Sequence, residues 1–461
     1  MNGTNDRMIV VSTDSHAGVP HDLWAEYLPE QYHDLLPKLR EDNKVYPTII
    51  RLLTNRLMTR PEYTEAHHTG GYRGLYDPNI RVAEMDREGV AAELVYLGDF
   101  RLGDMFHNIQ NDVYALDAWA AGARGWNRFV SDTFGFATER FLLVGAIGPC
   151  TDMDEALADL DWMADHKFTG AYAPGYLRYP GMPQLHDDYW APYLERTAEL
   201  GLPLVVHAGY GWEQGVTFSM FRQMYDATVK AAGTDDLDAL LAHPEAWKTG
   251  IFATGEFFAD IKPRRPLWQL MFSGALDRHP DLKVVLTEIR GDWVPPILNY
   301  LDAVFDSRRD DIPAKEKPSA YWHRNFLVGI SFTHQCEVRL RDEIGIEQFT
   351  FGRDYPHPES TWPHTKEWLR AAFAGVPEDE LRLMLGENVV RFLGLDRDRL
   401  AEIAARIGPT YAEINSGEPV AADLIEHFDT RAGFLKPEET SERLDKVDVM
   451  LADDLRALSH T

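Results

Sequence analysis

Three stretches far apart in the chain each end an apolar run with side chains able to hold a metal ion. Asp14-Ser15-His16 follows Met8-Ile9-Val10-Val11, His207 follows Pro203-Leu204-Val205-Val206, and Asp354 follows Phe349-Thr350-Phe351-Gly352-Arg353. A short apolar run reads as a buried strand. In a parallel barrel the C-terminal ends of the strands face the active site. One Asp, two His and a second Asp at such ends can hold a divalent cation and leave a position for water. Residues i and i+2 of a strand share a face, so Asp14 and His16 are expected to meet one ion. A carboxylate beside an imidazole suits Zn²⁺, Fe²⁺ or Mn²⁺. Taken singly, each residue also has a plainer reading: Asp14 or Asp354 as a cap or turn residue, His207 as a hydrogen-bonded structural histidine.

The elements that must position these residues are legible as strand-like runs separated by helical patterns. The runs are Met8–Thr13, Ala92–Leu97, Phe141–Ile147, Gly170–Ala173, Pro203–Val206, Lys283–Thr287, Phe326–Ile330 and Phe349–Gly352. Eight strands alternating with helices predict a parallel sheet closed into a (β/α)₈ TIM barrel. Asp77-Pro78 predicts a capped helix start, with proline at the first helical position. Asp152 is expected to cap Met153–His166, which carries Ala156, Leu157, Leu160 and Met163 on one face, and Asp188–Leu200 repeats the pattern.

Two insertions interrupt the alternation, at about residues 17–76 and 209–265. The first carries Trp24, Tyr27, Tyr32, Tyr46, Tyr63, His67 and His68; the second carries Trp212, Phe218, Phe221, Tyr225, Trp247 and Phe252. Both follow strand C-terminal ends, so they are expected over the active-site face, as a lid for an apolar or aromatic substrate or as their own small cores. Residues 1–395 form the barrel unit in this reading. Residues 396–461, with a turn at Asn415-Ser416-Gly417-Glu418-Pro419, form a C-terminal helical arm. An arm beyond a complete barrel suggests a homodimer, unless it folds back on its own barrel.

Composition narrows the function classes. Among 461 residues there are 46 Lys and Arg against 74 Asp and Glu, a net charge of −28. That balance disfavours nucleic acid and anionic membrane surfaces, both of which call for clustered cations. Cys150 and Cys336 are too few for a disulfide framework. The polar start, Met1 to Arg7, and the lack of a long apolar run lead to the expectation of a soluble, cytoplasmic protein acting on a small molecule, with no membrane partner.

In combination these segments resemble the amidohydrolase superfamily. The resemblance is to the amidohydrolase-related branch that includes aminocarboxymuconate-semialdehyde and resorcylate decarboxylases. It spans Met8 to Leu395. It rests on Asp14-Ser15-His16, Arg81 through Val90, Pro203–His207, Gly274 through Lys283, Gly352–Pro358 and Gly386-Glu387-Asn388-Val389-Val390-Arg391-Phe392. It implies a divalent metal (Zn, Fe or Mn) held by Asp14, His16, His207 and Asp354, with Asp354 also managing a water proton. Two departures stand out. Many relatives open with His-x-His or Glu-x-His, and decarboxylating relatives commonly end the sixth strand with a catalytic His, where this chain has Glu288. A protonated imidazole can deliver a proton to an aromatic carbon; an ionised glutamate does so poorly. Glu288 is therefore a candidate catalytic residue and a further metal ligand, allowing one or two ions per chain, with a structural ion pair as the plainer reading.

Tyr210, Arg290, His334 and His357 lie just beyond strand ends and are candidates for substrate binding or acid catalysis. His279 precedes the sixth strand and is assigned to the opposite, stability face. The leading expectation is a metal-dependent hydrolase. It would cleave an amide, lactone, thioester or C–C bond of a carboxylic-acid derivative or activated carbonyl through hydroxide generated at the metal. The alternative is non-oxidative decarboxylation of an aromatic or unsaturated acid. A catalytically inert barrel serving in binding is a third class, against which the retained Asp and His residues speak.

Overall fold

The computed structural model describes residues 6–42, 66, 70–98, 115–213, 216–236, 239, 262–357, 360–425 and 444–458. Among the described residues eleven strands are formed: β1 (Val11–Ser12), β2 (His16–Ala17), β3 (Ala92–Leu97), β4 (Phe141–Gly145), β5 (Gly170–Tyr172), β6 (Leu177–Arg178), β7 (Leu204–His207), β8 (Trp212–Glu213), β9 (Val284–Thr287), β10 (Phe326–Ser331) and β11 (Phe349–Gly352). Eight of them pair in parallel in the order β1-β3-β4-β5-β7-β9-β10-β11, and β6 pairs with β8 apart from them. The first and eighth barrel strands meet: Thr13 N donates to Phe351 O at 2.9 Å and His16 N to Tyr355 O at 2.7 Å. The result is the (β/α)₈ barrel that the alternation predicts. Each barrel strand is buried, because helices cover the outside and the opposite strands fill the inside.

The helix starts follow local chemistry. The Asp77 carboxylate accepts from the amides of Asn79 and Ile80 and caps the helix Pro78–Glu88; Gly89, at φ 79°, ends it. Asp152 caps Met153–Asp165 through the Glu155 amide. The stretch expected as one helix from Asp188 begins as a single 3₁₀ turn, Asp188–Trp190, capped by Asp187, before the helix Ala191–Leu200.

The first strand departs from expectation. Ser12 pairs with Glu93, whereas His16 pairs with Tyr96. Three residues, Thr13 to Ser15, therefore face two, Leu94 and Val95, across the ladder. This is a β-bulge, which locally re-aims side chains. Asp14 sits in the bulge, so simple strand alternation does not describe how it and His16 meet.

Of the first insertion's aromatics, Trp24 is fully buried, while Tyr27 and Tyr32 pack against the core. Tyr46, Tyr63, His67, His68, Trp247 and Phe252 lie outside the described residues. The described parts of the arm fold back on their own barrel. The helix Arg397–Ile407 contacts Pro78–Glu88, and the helix Leu444–Leu458 contacts Arg265–Phe272. Asp454, 2% exposed, accepts from Arg265 at 2.7 and 2.9 Å, from Trp268 Nε1 at 2.8 Å and from Gln269 at 3.1 Å. The arm thus covers its own chain, which removes the structural reason for expecting a dimer. Among the described residues no helix is long and apolar enough to cross a membrane.

Candidate metal centre

Six of the residues singled out in the sequence converge at the C-terminal end of the barrel. His207 ends β7, Glu288 follows β9, Asp354 follows β11, and Asp14 and His16 flank the bulge between β1 and β2. Asp14 Oδ1 lies 3.6 Å from His16 Nε2 and 3.4 Å from His207 Nε2. Asp354 Oδ1 lies 3.1 Å from both His16 Nε2 and His357 Nδ1. Glu288 Oε2 is 3.4 Å from His207 Nδ1. The His357 ring stacks on His16 with centroids 3.9 Å apart. Two groups of three can each present ligand atoms within 4.8 Å of one another: Asp14, His16 and His207, and His16, Asp354 and His357.

The hydrogen bonds set the tautomers. His16 Nδ1 meets the Leu97 carbonyl at 3.1 Å and His207 Nδ1 the Ala208 carbonyl at 3.1 Å. A neutral imidazole that donates from Nδ1 has a bare lone pair at Nε2. Both bare Nε2 atoms then face carboxylate oxygens, which are also acceptors. Asp14 Oδ1, both Asp354 oxygens and both Nε2 atoms are buried without a hydrogen-bond partner. Acceptors converging on acceptors in a buried site cost free energy unless a cation lies among them. Imidazoles oriented by backbone carbonyls are also what metal-ligating histidines show. The donor set therefore fits a divalent metal ion.

The electrostatics are set by burial and by the side chains' own mutual contacts. Burial, joined by the adjacent Asp14 carboxylate, pushes the Asp354 carboxyl well above its ordinary range. Burial also raises Asp14, but His207, His16 and a hydrogen bond from Ser331 outweigh it, so Asp14 stays ionised. Burial and His357 hold His16 well below its ordinary value, in the neutral form a metal requires. Burial drives His357 down to about 3. His207 moves up, because Asp14 outweighs its burial. Glu288 and Asp354 both adopt left-handed backbone, φ 54° and 56°. This costs a non-glycine residue roughly 1–2 kcal/mol, and such strain gathers at functional sites.

The other candidates are engaged elsewhere. Tyr210 is buried and its hydroxyl donates to the Pro174 carbonyl at 2.6 Å. Arg290 forks onto Asp292 at 3.0 and 3.1 Å. His334 caps the helix Gln335–Arg339 and sets its ring edge against Trp368. His279 ends the helix Ala275–Arg278 ahead of β9, away from these ligands in the chain. Two features escaped the sequence reading. Tyr96 places its ring 5.2 Å from that of His207, and its hydroxyl meets Thr287 Oγ1 at 3.0 Å. The buried charges of Arg81, Glu93 and Arg353 surround the backbone of the site. The Glu93 charge inside an otherwise apolar strand, Ala92–Leu97, was the available signal.

A stretch of 134 residues is 33% identical to Gamma-resorcylate decarboxylase of Rhodococcus jostii (strain RHA1), covering 28% of this chain and 39% of that one. The match thus spans well under half the length of that curated relative. The crystal structure of 2,6-dihydroxybenzoate decarboxylase from Rhizobium superposes with a TM-score of 0.56 at 19% identity, covering 84% of this chain and 99% of the other. A dihydroxybenzoic acid decarboxylase from Polaromonas sp. JS666, with bound manganese and the inhibitor 2-nitroresorcinol, gives 0.55 at 20% identity, covering 85% and 99%. At these identities the structures speak for the shared barrel. Residues 64–395 match the sequence model described as Amidohydrolase, and the chain belongs to that family.

Proposed function

We propose that this protein is a metal-dependent, non-oxidative decarboxylase of a hydroxylated aromatic carboxylic acid. The decarboxylases among its relatives support this reading over hydrolysis, the leading expectation from the sequence. The observation that carries it is the His357 ring, stacked on His16 and in contact with Asp354. It supplies at the end of the eighth strand the imidazole that Glu288 replaces at the end of the sixth.

The overall change is Ar–CO₂⁻ + H⁺ → Ar–H + CO₂: the C–C bond breaks, its electron pair stays on the ring carbon, and that carbon takes a proton. A divalent ion held by Asp14, His16, His207 and Asp354 would bind the oxygens of the substrate and neutralise the buried carboxylates. The chain does the rest. Asp354 lies 3.1 Å from His357 Nδ1, and the pair would relay the proton to the substrate carbon: the ring, kept neutral by burial, takes a proton at one nitrogen as it gives one from the other. Glu288 holds His207 from the side away from Asp14.

A second reading keeps hydrolysis. Glu288, strained and beside His207, is a carboxylate placed to orient a water or join the ligand set. One experiment separates the two. The purified protein, loaded with Mn²⁺ or Zn²⁺, is given hydroxybenzoates on one side and thioesters, lactones and aryl esters on the other. Carbon dioxide matched by the decarboxylated phenol is the expected result. Ester or thioester cleavage with no carbon dioxide would replace the proposal with the hydrolase.

A further inference from the structure

Two arginines and one glutamate are fully buried beside the metal centre, and the ligand chemistry above makes no use of them. Arg81 lies on the helix Pro78–Glu88, Glu93 on β3, and Arg353 just after β11; all three are 0% exposed. Glu93 Oε1 accepts from Arg81 Nε, and Glu93 Oε2 accepts from Arg353 Nε at 2.8 Å and Nη2 at 2.5 Å. Arg81 and Arg353 hold Glu93 ionised against the cost of its burial. Within these three residues two guanidiniums face one carboxylate. Arg81 Nη2 and Arg353 Nη1 have no hydrogen-bond partner. Apolar residues of similar volume would be no less stable in such a place, so stability alone does not account for this cluster.

Its contacts run to the backbone of the ligands. Arg81 Nη1 donates to the His16 carbonyl at 2.7 Å. Both guanidiniums lie over the Tyr355 ring, Arg81 Cζ 4.2 Å and Arg353 Cζ 4.6 Å from its centroid. The Tyr355 carbonyl accepts from His16 N at 2.7 Å, and Asp354 N donates to Asp14 O at 3.0 Å. Arg353 N donates to Ser12 Oγ at 2.9 Å, and that hydroxyl donates to Asp14 O at 2.7 Å. Asp14 sits in a bulge and Asp354 in a left-handed conformation, so neither backbone is held by a regular ladder. The cluster joins the strand bearing Asp14 and His16 to the loop bearing Asp354, at the seam where the barrel closes.

We infer that Glu93 is the positioning residue of the metal centre, acting through Arg81 and Arg353 to hold His16 and Asp354 at the spacing one ion requires. The inference rests on the proposed metal site and deepens it. Residues that orient metal ligands typically change affinity by about 10- to 100-fold when replaced.

The test uses the full chain, stripped of metal and titrated with Co²⁺, whose visible absorption reports ligand geometry. Glu93→Gln keeps the shape and loses the charge. It should weaken Co²⁺ binding about 10- to 100-fold and alter the absorption band. Asp454→Asn, which loosens a buried carboxylate far along the chain, should lower stability and leave both readouts as in the parent. If Glu93→Gln does not fold, Arg81→Lys decides, since it keeps the charge but loses the fork that reaches both Glu93 and the His16 carbonyl. A folded Glu93→Gln or Arg81→Lys protein with the parent's affinity and spectrum would overturn the inference, as would an equal change in Asp454→Asn. A parent protein that binds no Co²⁺ would overturn the metal site itself, and the inference with it.

Discussion

At the residue scale, the site is defined by lone pairs with nothing to meet. In the proposed function Asp354 is the residue on which ligand and proton roles would fall together, through its contacts with His16 and His357. Asp354→Asn keeps the shape but removes the charge; turnover should fall about 10²- to 10⁴-fold, with the circular dichroism of the parent. Activity within tenfold of the parent would remove Asp354 from its assigned role. His357→Gln separates the proton carrier from the ligand set. It should lower kcat by a similar factor while metal content stays at that of the parent, and a loss of metal instead would make His357 a ligand. Glu288→His restores an imidazole at the end of the sixth strand. A decarboxylase should keep or gain activity in that variant, whereas a hydrolase that uses the carboxylate should lose it.

Single elements carry the residues to the site, and their ends are where they can be tested. Glu337, on the helix Gln335–Arg339, accepts from Gly291 N at 2.8 Å and from His334 N at 3.0 Å. It thereby ties the loop after β9, which begins at Glu288, to the element after β10. Burial raises its carboxyl to about 7 despite the nearby Arg290. A folded-state value above the ordinary carboxylate value means that the folded protein holds a proton that the unfolded chain has released. The contribution to stability is therefore fully present below about pH 4.5 and is lost as pH rises through 7. Denaturant unfolding at pH 5 and pH 8 should show the parent losing more stability over that interval than Glu337→Gln. Equal losses would contradict the assignment.

For the molecule as a whole, a metal ion that binds the folded chain alone should stabilise it. At an ion concentration 100 times the dissociation constant the gain is about 2.7 kcal/mol. Chelation should therefore lower the thermal midpoint, and added Mn²⁺ or Zn²⁺ should restore it. A midpoint indifferent to both would speak against an ion in the folded state. The closed barrel would make this coupling direct, because the proposed ligands Asp14, His16, His207 and Asp354 come from its first, fifth and eighth strands and no single segment would hold the ion. The arm adds a second closure. Its last helix locks onto Arg265, Trp268 and Gln269 through Asp454.

By itself the sequence determined the eight-strand alternation, because buried parallel strands read as short apolar runs and the helix starts carry their own caps at Asp77 and Asp152. It also marked Asp14, His16, His207, Glu288 and Asp354, because polar residues at the ends of apolar runs contrast with what precedes them. Only the tertiary structure decided how they meet. The bulge that turns Asp14 toward His207 depends on how β1 and β2 pair with β3, a register that no local pattern encodes. His357 was a candidate for substrate binding; its stacking on His16 arises because the barrel brings chain positions 341 residues apart to one seam. Arg81 and Arg353 look in sequence like ordinary surface charges, and only Glu93, inside an apolar run, stands out. Their burial follows from the closure of the barrel around them, where a charge persists only with its partners in place.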